Sequence, residues 1–366
     1  MRFATASAKG RDRHGRAVKP AATLFSSDES AAPQPVFVSH AAPDPSYLAV
    51  SSLHKVLYVA SENSAEGRIS ALRLDADGLT LLGSVGTGGH AAVHLAIDQT
   101  GRWLAVANYR GEPKGQDLSV AVFPIQVDGM LGDLAASARQ DGSGPDRDRQ
   151  ATPHTHCVAF SPDNRLLAAV DLGTDGLWLY HFNAASGALG FASQIKLPAG
   201  SGPRHCAFHP REPLIYVCTE LDSTLVTLRY DPAAGTADIV DSDAATKVPG
   251  KGAVNRLGTK NANYPSGLVI APDGRYLMMG NRGPDTVAIF WIDPETGTAR
   301  YREEVPCGGK FPRAIRLDST GRVLAVANNK SGNVTLFSRD FESGKLTAMP
   351  HGDFELPTAM DVIFLD

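Results

Sequence analysis

Side chains able to open an activated ester gather in a few short motifs of this chain. Pro153-His154-Thr155-His156, Gly202-Pro203-Arg204-His205 and Phe311-Pro312-Arg313 each stand before an apolar strand. Glu62, Asn108, Asp171, Glu220, Asn281 with Arg282, and Asn328 with Asn329 each stand at the end of another. Histidine is the usual general base near neutral pH, and arginine offers a forked donor suited to a carboxylate, a phosphate or a developing oxyanion. A rim carrying His154, His156, Arg204, His205 and Arg282 therefore suits an anionic or oxygen-rich small molecule. Glu220 and Asp171 could orient a histidine, pair with an arginine or accept a proton from water. The plainer reading is that Asn108, Asp171, Asn281 and Asn328 cap turns through side-chain-to-backbone hydrogen bonds. An Arg204–Glu220 or Arg282–Glu220 pair would then only join blades. No Gly-x-Ser-x-Gly elbow marks a serine nucleophile, so water is the expected attacking group. His154-x-His156 with Asp171 or His205 could hold a metal, but that spacing is not diagnostic, and none is expected. Gly86-Thr87-Gly88-Gly89-His90 lacks the Lys-Ser/Thr ending of a phosphate loop, which excludes nucleotide binding there.

What brings these groups together is a repeat. A short apolar strand ending in a polar pair recurs as LYVASE (57–62), LAVANY (104–109), LAAVDL (167–172), YVCTEL (216–221), LMMGNR (277–282) and LAVANN (324–329). Aligned on their polar residue, the copies are 47, 63, 48, 62 and 47 residues apart, a base period near 47 with two insertions. A turn upstream joins each to an earlier strand, and alternating segments such as LWLYHF (177–182) and VTLFSR (334–339) follow, then a glycine turn and a fourth strand. Four antiparallel strands at this period describe a propeller blade, which needs neighbours on both faces. Six copies lie inside the chain. FATAS (3–7) and MDVIFL (360–365) would complete a seventh and close the ring, giving an all-β, seven-bladed propeller as one domain over 1–366. In such a blade the start of the innermost strand, the end of the second and the crossing to the next blade share one face. Every motif above falls at one of those places, and so do the insertions at about 130–152 and 241–263.

Composition removes other classes. Formal net charge is −4 and no long basic block exists, so nucleic acid and anionic membranes are not expected partners. No apolar run approaches the roughly eighteen residues a membrane span needs. The four cysteines are not spaced as a zinc knuckle, and residues 1–20 hold no signal-peptide core, which fits a reduced, cytoplasmic setting. Oligomeric state is not legible.

The motifs VANY (106–109), RQATPHTH (149–156), DLGTDGLWLY (171–180), SGPRHCAFHP (201–210), YVCTELDSTL (216–225), APDGRYLMMGNRG (271–283) and FPRAIRLD (311–318), in this order, resemble the lactonase family of seven-bladed propellers. That resemblance implies opening of a sugar δ-lactone without metal or other cofactor, giving 6-phosphogluconate where a phosphate is recognised. It implies His154 as the base activating water, Arg204 and Arg282 as binders of the carbonyl and anionic groups, and Glu220 as the residue positioning them. His156, His205, Asn108, Asp171, Asn281 and Arg313 are expected to contact the substrate, a small sugar lactone with or without phosphate. Arg110, Lys114, Arg149 and Arg313 are further positive groups for a phosphate. RGEPKGQD (110–117) and NYPSG (263–267) depart from the family's usual segments on the site face. Lactonising cyclisation and a non-catalytic binding propeller are the rival readings.

Overall fold

Strand burial falls from the inside of each sheet outward, because only the inner strands are covered on both faces. Val56–Ser61, Leu166–Asp171 and Leu214–Thr219 are buried at every residue, whereas the outermost Leu189–Lys196 and Thr236–Ala244 are largely exposed. Continuous apolar runs and exposed alternating runs in the sequence report this difference directly. The computed structural model describes residues 1–12, 14–27, 31–62, 66–110, 117–248 and 263–365. Among them no helix forms, and none is long and apolar enough to cross a membrane.

Seven four-stranded antiparallel sheets form the seven-bladed propeller expected from the repeat. From the inside outward, blade 1 comprises Pro45–Ser51, Val56–Ser61, Arg68–Leu74 and Leu79–Gly86, and blade 2 comprises His90–Ile97, Trp103–Arg110, Val120–Pro124 and Ala136–Ala138. Blade 3 runs Thr155–Phe160, Leu166–Asp171, Gly176–Phe182 and Leu189–Lys196; blade 4 runs Pro203–Phe208, Leu214–Thr219, Thr224–Asp231 and Thr236–Ala244. Blade 5 holds Tyr264–Ile270, Tyr276–Arg282, Thr286–Ile292 and Ala299–Pro306, and blade 6 holds Pro312–Leu317, Val323–Asn328, Asn333–Arg339 and Leu346–Glu355. Blade 7 closes the ring. Its innermost strand is Ala359–Phe364, paired antiparallel to Arg2–Ser7, followed outward by Ala21–Ser26 and Gln34–Ser39. Within the segment at 130–152, Ala136–Ala138 is the short outer strand of blade 2. Most of the segment at 241–263, residues 249–262, lies outside the described residues.

Apolar clusters fill every blade-to-blade interface. Leu166, Ala168 and Val170 of blade 3 meet Phe208, Ile215 and Val217 of blade 4, and six equivalent clusters complete the circuit. At the closure, Phe3 is stacked on Phe25 at 5.5 Å and tilted against Phe354 of blade 6 at 5.4 Å. On the face opposite the motifs, carboxylates hold the hairpins. Asp98 accepts hydrogen bonds from the Thr100, Arg102 and Trp103 amides and from Asn164 of the next blade. Asp98→Ala removes all of these, and since even one hydrogen bond to a charged group is worth about 1.5–3 kcal/mol, we expect a loss of at least that size in urea unfolding.

One irregularity recurs in all seven innermost strands. Close to its start each slips one register step against the second strand, in blade 5 with Ser266 and Gly267 set against Gly280. The residues left unpaired are Ser46, Val93, His156, Arg204, Ser266 with Gly267, Arg313 and Met360. A bulge re-aims the side chain it carries, and three of these seven places hold His156, Arg204 and Arg313.

Candidate active site

Glu220 is the hub of the motif face. It follows the second strand of blade 4 directly, with a side chain 7% exposed. Its Oε1 accepts from Arg149 Nη2 at 2.6 Å, and its Oε2 accepts from Arg282 Nη2 at 2.6 Å. Arg204 Nε also lies 3.0 Å from Oε2. Burial alone would raise this carboxyl's pKa, but Arg282, Arg204 and Arg149 outweigh it and hold Glu220 well below the usual carboxylate range. Three arginines from blade 4, blade 5 and the connection entering blade 3 thus share one carboxylate.

The two inner arginines differ in what remains open. Arg282 is anchored further by the Tyr264 and Pro265 carbonyls, which accept from its Nε and Nη2 at 2.8 and 3.2 Å. Arg204 is 2% exposed, yet among the described residues its Nε and Nη1 have no hydrogen-bond acceptor, since the close approach of Nε to Glu220 is off the line of a hydrogen bond. A buried unpaired donor costs about 1–3 kcal/mol, and here it is a cationic donor. Burial and the neighbouring Arg282 bring its pKa down to about 10, against the pull of Glu220, so Arg204 remains charged at neutral pH. Such a group is preset for an oxygen bearing negative charge.

His154 completes the cluster from the start of blade 3. Its ring stacks on Tyr109, centroids 4.7 Å apart and 19° from parallel. Its Nδ1 lies 2.7 Å from the Tyr109 carbonyl oxygen. A carbonyl only accepts, so Nδ1 carries the proton and Nε2 presents a lone pair. Tyr109 also meets His156 edge-on at 5.3 Å and lies against Arg149, which ties His154 to the arginine group. His156 packs on His205 at 5.4 Å, and both are buried. Burial first, and then Arg204, depresses both pKa values well below the ordinary histidine value, leaving neutral imidazoles. Arg313 pairs with Glu62 of blade 1 at 2.6 Å on the same rim and adds to the positive field felt by Arg204 and His156.

The face therefore brings together His154, His156, Arg204, His205, Glu220, Arg282 and Arg313, with Arg149 and Tyr109 added. Three of the expected contacts are differently engaged. Asn108 is buried, with Oδ1 accepting from Thr87 and Nδ2 donating to the Leu118 carbonyl. Asn281 is buried between Asn263 and the Ala245 carbonyl. Asp171 accepts from the His154 and Thr174 amides and from Thr155 Oγ1, so it fixes the backbone that carries His154. All three behave as caps, as the plainer reading had it. Lys114 and the Arg110 side chain lie outside the described residues. Among the described residues no group of three or more His, Cys, Asp or Glu side chains is arranged to hold a metal ion.

Tyr109 was not singled out by type. The sequence signal for it is position: Glu62, Tyr109, Glu220 and Arg282 all stand one residue after the polar residue that aligns the repeats.

Residues 13–364 match the family described as Lactonase, 7-bladed beta-propeller. A Bacillus subtilis (strain 168) protein named 6-phosphogluconolactonase is 33% identical over 309 residues, 84% of this chain and 83% of its own. One of the same name from Formosa agariphila is 32% identical over 316 residues, 83% of this chain and 84% of its own. Among solved structures, a periplasmic gluconolactonase from Pseudomonas aeruginosa superposes with a TM-score of 0.82 at 26% identity, covering 100% of this chain and 99% of the other.

Proposed function

Because the chain belongs to the seven-bladed β-propeller lactonase family, we propose that it hydrolyses a sugar δ-lactone, 6-phosphogluconolactone in the first instance, to the open acid. The observation that carries this reading is Arg204, a buried guanidinium whose Nη1 finds no acceptor among the described residues, on the same rim as His154, whose Nδ1 is tied to the Tyr109 carbonyl and whose Nε2 is left to take a proton. Water attacks the lactone carbonyl as His154 Nε2 accepts its proton. The oxyanion that forms takes hydrogen bonds from Arg204, with Arg282 held beside it by Glu220. Collapse breaks the bond to the ring oxygen, which leaves with the proton returned by His154. Arg149, 35% exposed, and Arg313 supply positive charge at the rim for the phosphate. We place the protein in the cytoplasm on its four buried free thiols; the periplasmic Pseudomonas relative shows that the fold alone does not fix the compartment.

The test is proton release from 6-phosphogluconolactone and from gluconolactone, each corrected for spontaneous opening. The parent should hydrolyse the phosphorylated lactone with the larger kcat/KM. Arg204→Lys keeps the charge but loses the forked donors, and loss of one oxyanion donor typically costs 10²–10³ in kcat; we expect about 10²-fold. Rates equal to spontaneous opening for both lactones in the parent would refute the proposal.

A further inference from the structure

Below the guanidinium cluster the channel holds reactive groups that lactone opening does not use. Cys157 and Cys206, on the innermost strands of blades 3 and 4, place their sulfur atoms 4.0 Å apart in the interior. His94 of blade 2 brings Nε2 to 3.4 Å from Cys157 Sγ and 2.6 Å from the Tyr47 hydroxyl. The Val158 amide donates to His94 Nδ1 at 3.5 Å, so the ring proton sits on Nε2 and faces the sulfur and the phenol oxygen. Burial opposes ionisation of Cys157, but the hydrogen bond from Cys206 and the contact with His94 outweigh it, holding that thiol well below its ordinary value. Cys206, donating to Cys157 and buried, is held well above. The two sulfurs thus share a proton, as reactive thiol pairs do. The other cysteines are occupied elsewhere, Cys218 donating to the Ser266 carbonyl and Cys307 to that of Gly309.

Access comes from the far half of the channel. A cavity of about 260 Å³ there is lined by Tyr47, His94, His205, Cys206 and Arg316 among others. Since one water takes about 30 Å³ of liquid volume, a peroxide fits easily.

We propose that Cys157 and Cys206 are a hydroperoxide-oxidisable dithiol whose disulfide clamps blades 3 and 4 together beneath the reaction centre. The proton stays on Cys206, which donates to Cys157, so Cys157 is the thiolate. It attacks hydrogen peroxide, forming S–O and breaking O–O, and the hydroxide takes a proton and leaves as water. Cys206 then attacks the sulfenic sulfur of Cys157, forming S–S and breaking S–O, with loss of a second water. Two thiols are oxidised by two electrons and one peroxide is reduced to two waters. Bonding distance for the disulfide is about 2.05 Å, so the 4.0 Å gap must close. Cys157 directly follows His156, and Cys206 lies two residues from Arg204. Displacements near 1 Å at a site can cost about 10²-fold in rate, so the clamp lowers turnover.

The full chain is treated with excess hydrogen peroxide, blocked with N-ethylmaleimide and digested without reduction. Mass spectrometry should find the Cys157–Cys206 linked peptide, and two of the four thiols should be lost. Turnover should fall about tenfold or more and return with dithiothreitol. Cys206→Ala, or Cys157→Ser if the first does not fold, should keep its turnover through the same treatment. The proposal is overturned by oxidation without the linked peptide, by the link without loss of turnover, or by equal loss in the variant. The linked peptide is read independently of which lactone is the substrate.

Discussion

His154→Ala should lower kcat for lactone opening by about three orders of magnitude while leaving KM within a few-fold of the parent. A positioned general base typically contributes 10²–10⁴-fold, and several features place this imidazole at the upper part of that range. Its Nδ1 is tied to a carbonyl, its ring is held against Tyr109, and its backbone amide is fixed by Asp171. None of those restraints binds substrate, so removing the side chain touches the transition state and not the ground state. Stopped-flow measurement of proton release on a phosphorylated lactone separates kcat from KM. Added imidazole should restore part of the rate, because the small ring can occupy the vacated space with the same lone pair. A variant with kcat within threefold of the parent would remove His154 from the reaction.

The second large effect concerns the carboxylate that gathers the arginines. Glu220→Gln leaves Arg204, Arg282 and Arg149 facing one another without their common anion. Breaking a buried pair by removing one partner typically costs about 3–5 kcal/mol, and we expect that loss in urea unfolding at pH 7. Its dependence on pH has a definite sign. The folded pKa of Glu220 is depressed, so its contribution is complete above the unfolded carboxyl value of about 4.3 and is lost as the pH falls through the folded value. Parent and variant should therefore differ by a constant amount between pH 6 and 8, and the gap should begin to narrow below about pH 4 and keep narrowing as the pH falls further. A gap that widened on acidification would show that Glu220 is not held as an anion by these three groups.

The ring was legible in the sequence because its evidence is periodic: six copies of one strand at a regular interval, and two terminal segments that only make sense together. The site was legible in part. His154, Arg204, Glu220 and Arg282 stand in motifs flanking those strands, and closure alone brings them to one face. Asn108, Asp171 and Asn281 were harder to read, since they stand one residue before Tyr109, Leu172 and Arg282. A single step along a strand reverses the side of the sheet a side chain faces; the first residue turns inward to bind backbone, and Tyr109 and Arg282, like Glu62 and Glu220 at the same step, reach the rim. The sequence also had no means of showing that Glu220 serves three arginines at once, because those contacts join residues up to 71 positions apart. The register slips were invisible for a similar reason: they depend on how two strands pair, which no residue type announces.

Those slips give every blade one position set apart from its ladder of backbone hydrogen bonds, put to different tasks. His156, Arg204 and Arg313 serve the site face, Ser46 and Ser266 donate to carbonyls of the neighbouring blade, and Val93 and Met360 pack in the seams between blades. The chain already displays Ser46, Val93, His156, Arg204, Ser266, Arg313 and Met360 at these stations, ranging from apolar to cationic. One backbone device thus supplies chemistry in three blades and cohesion of the ring in the other four, so a library varying His156 and Arg313 should lose fewer members to misfolding than one varying Ser46, Val93, Ser266 or Met360.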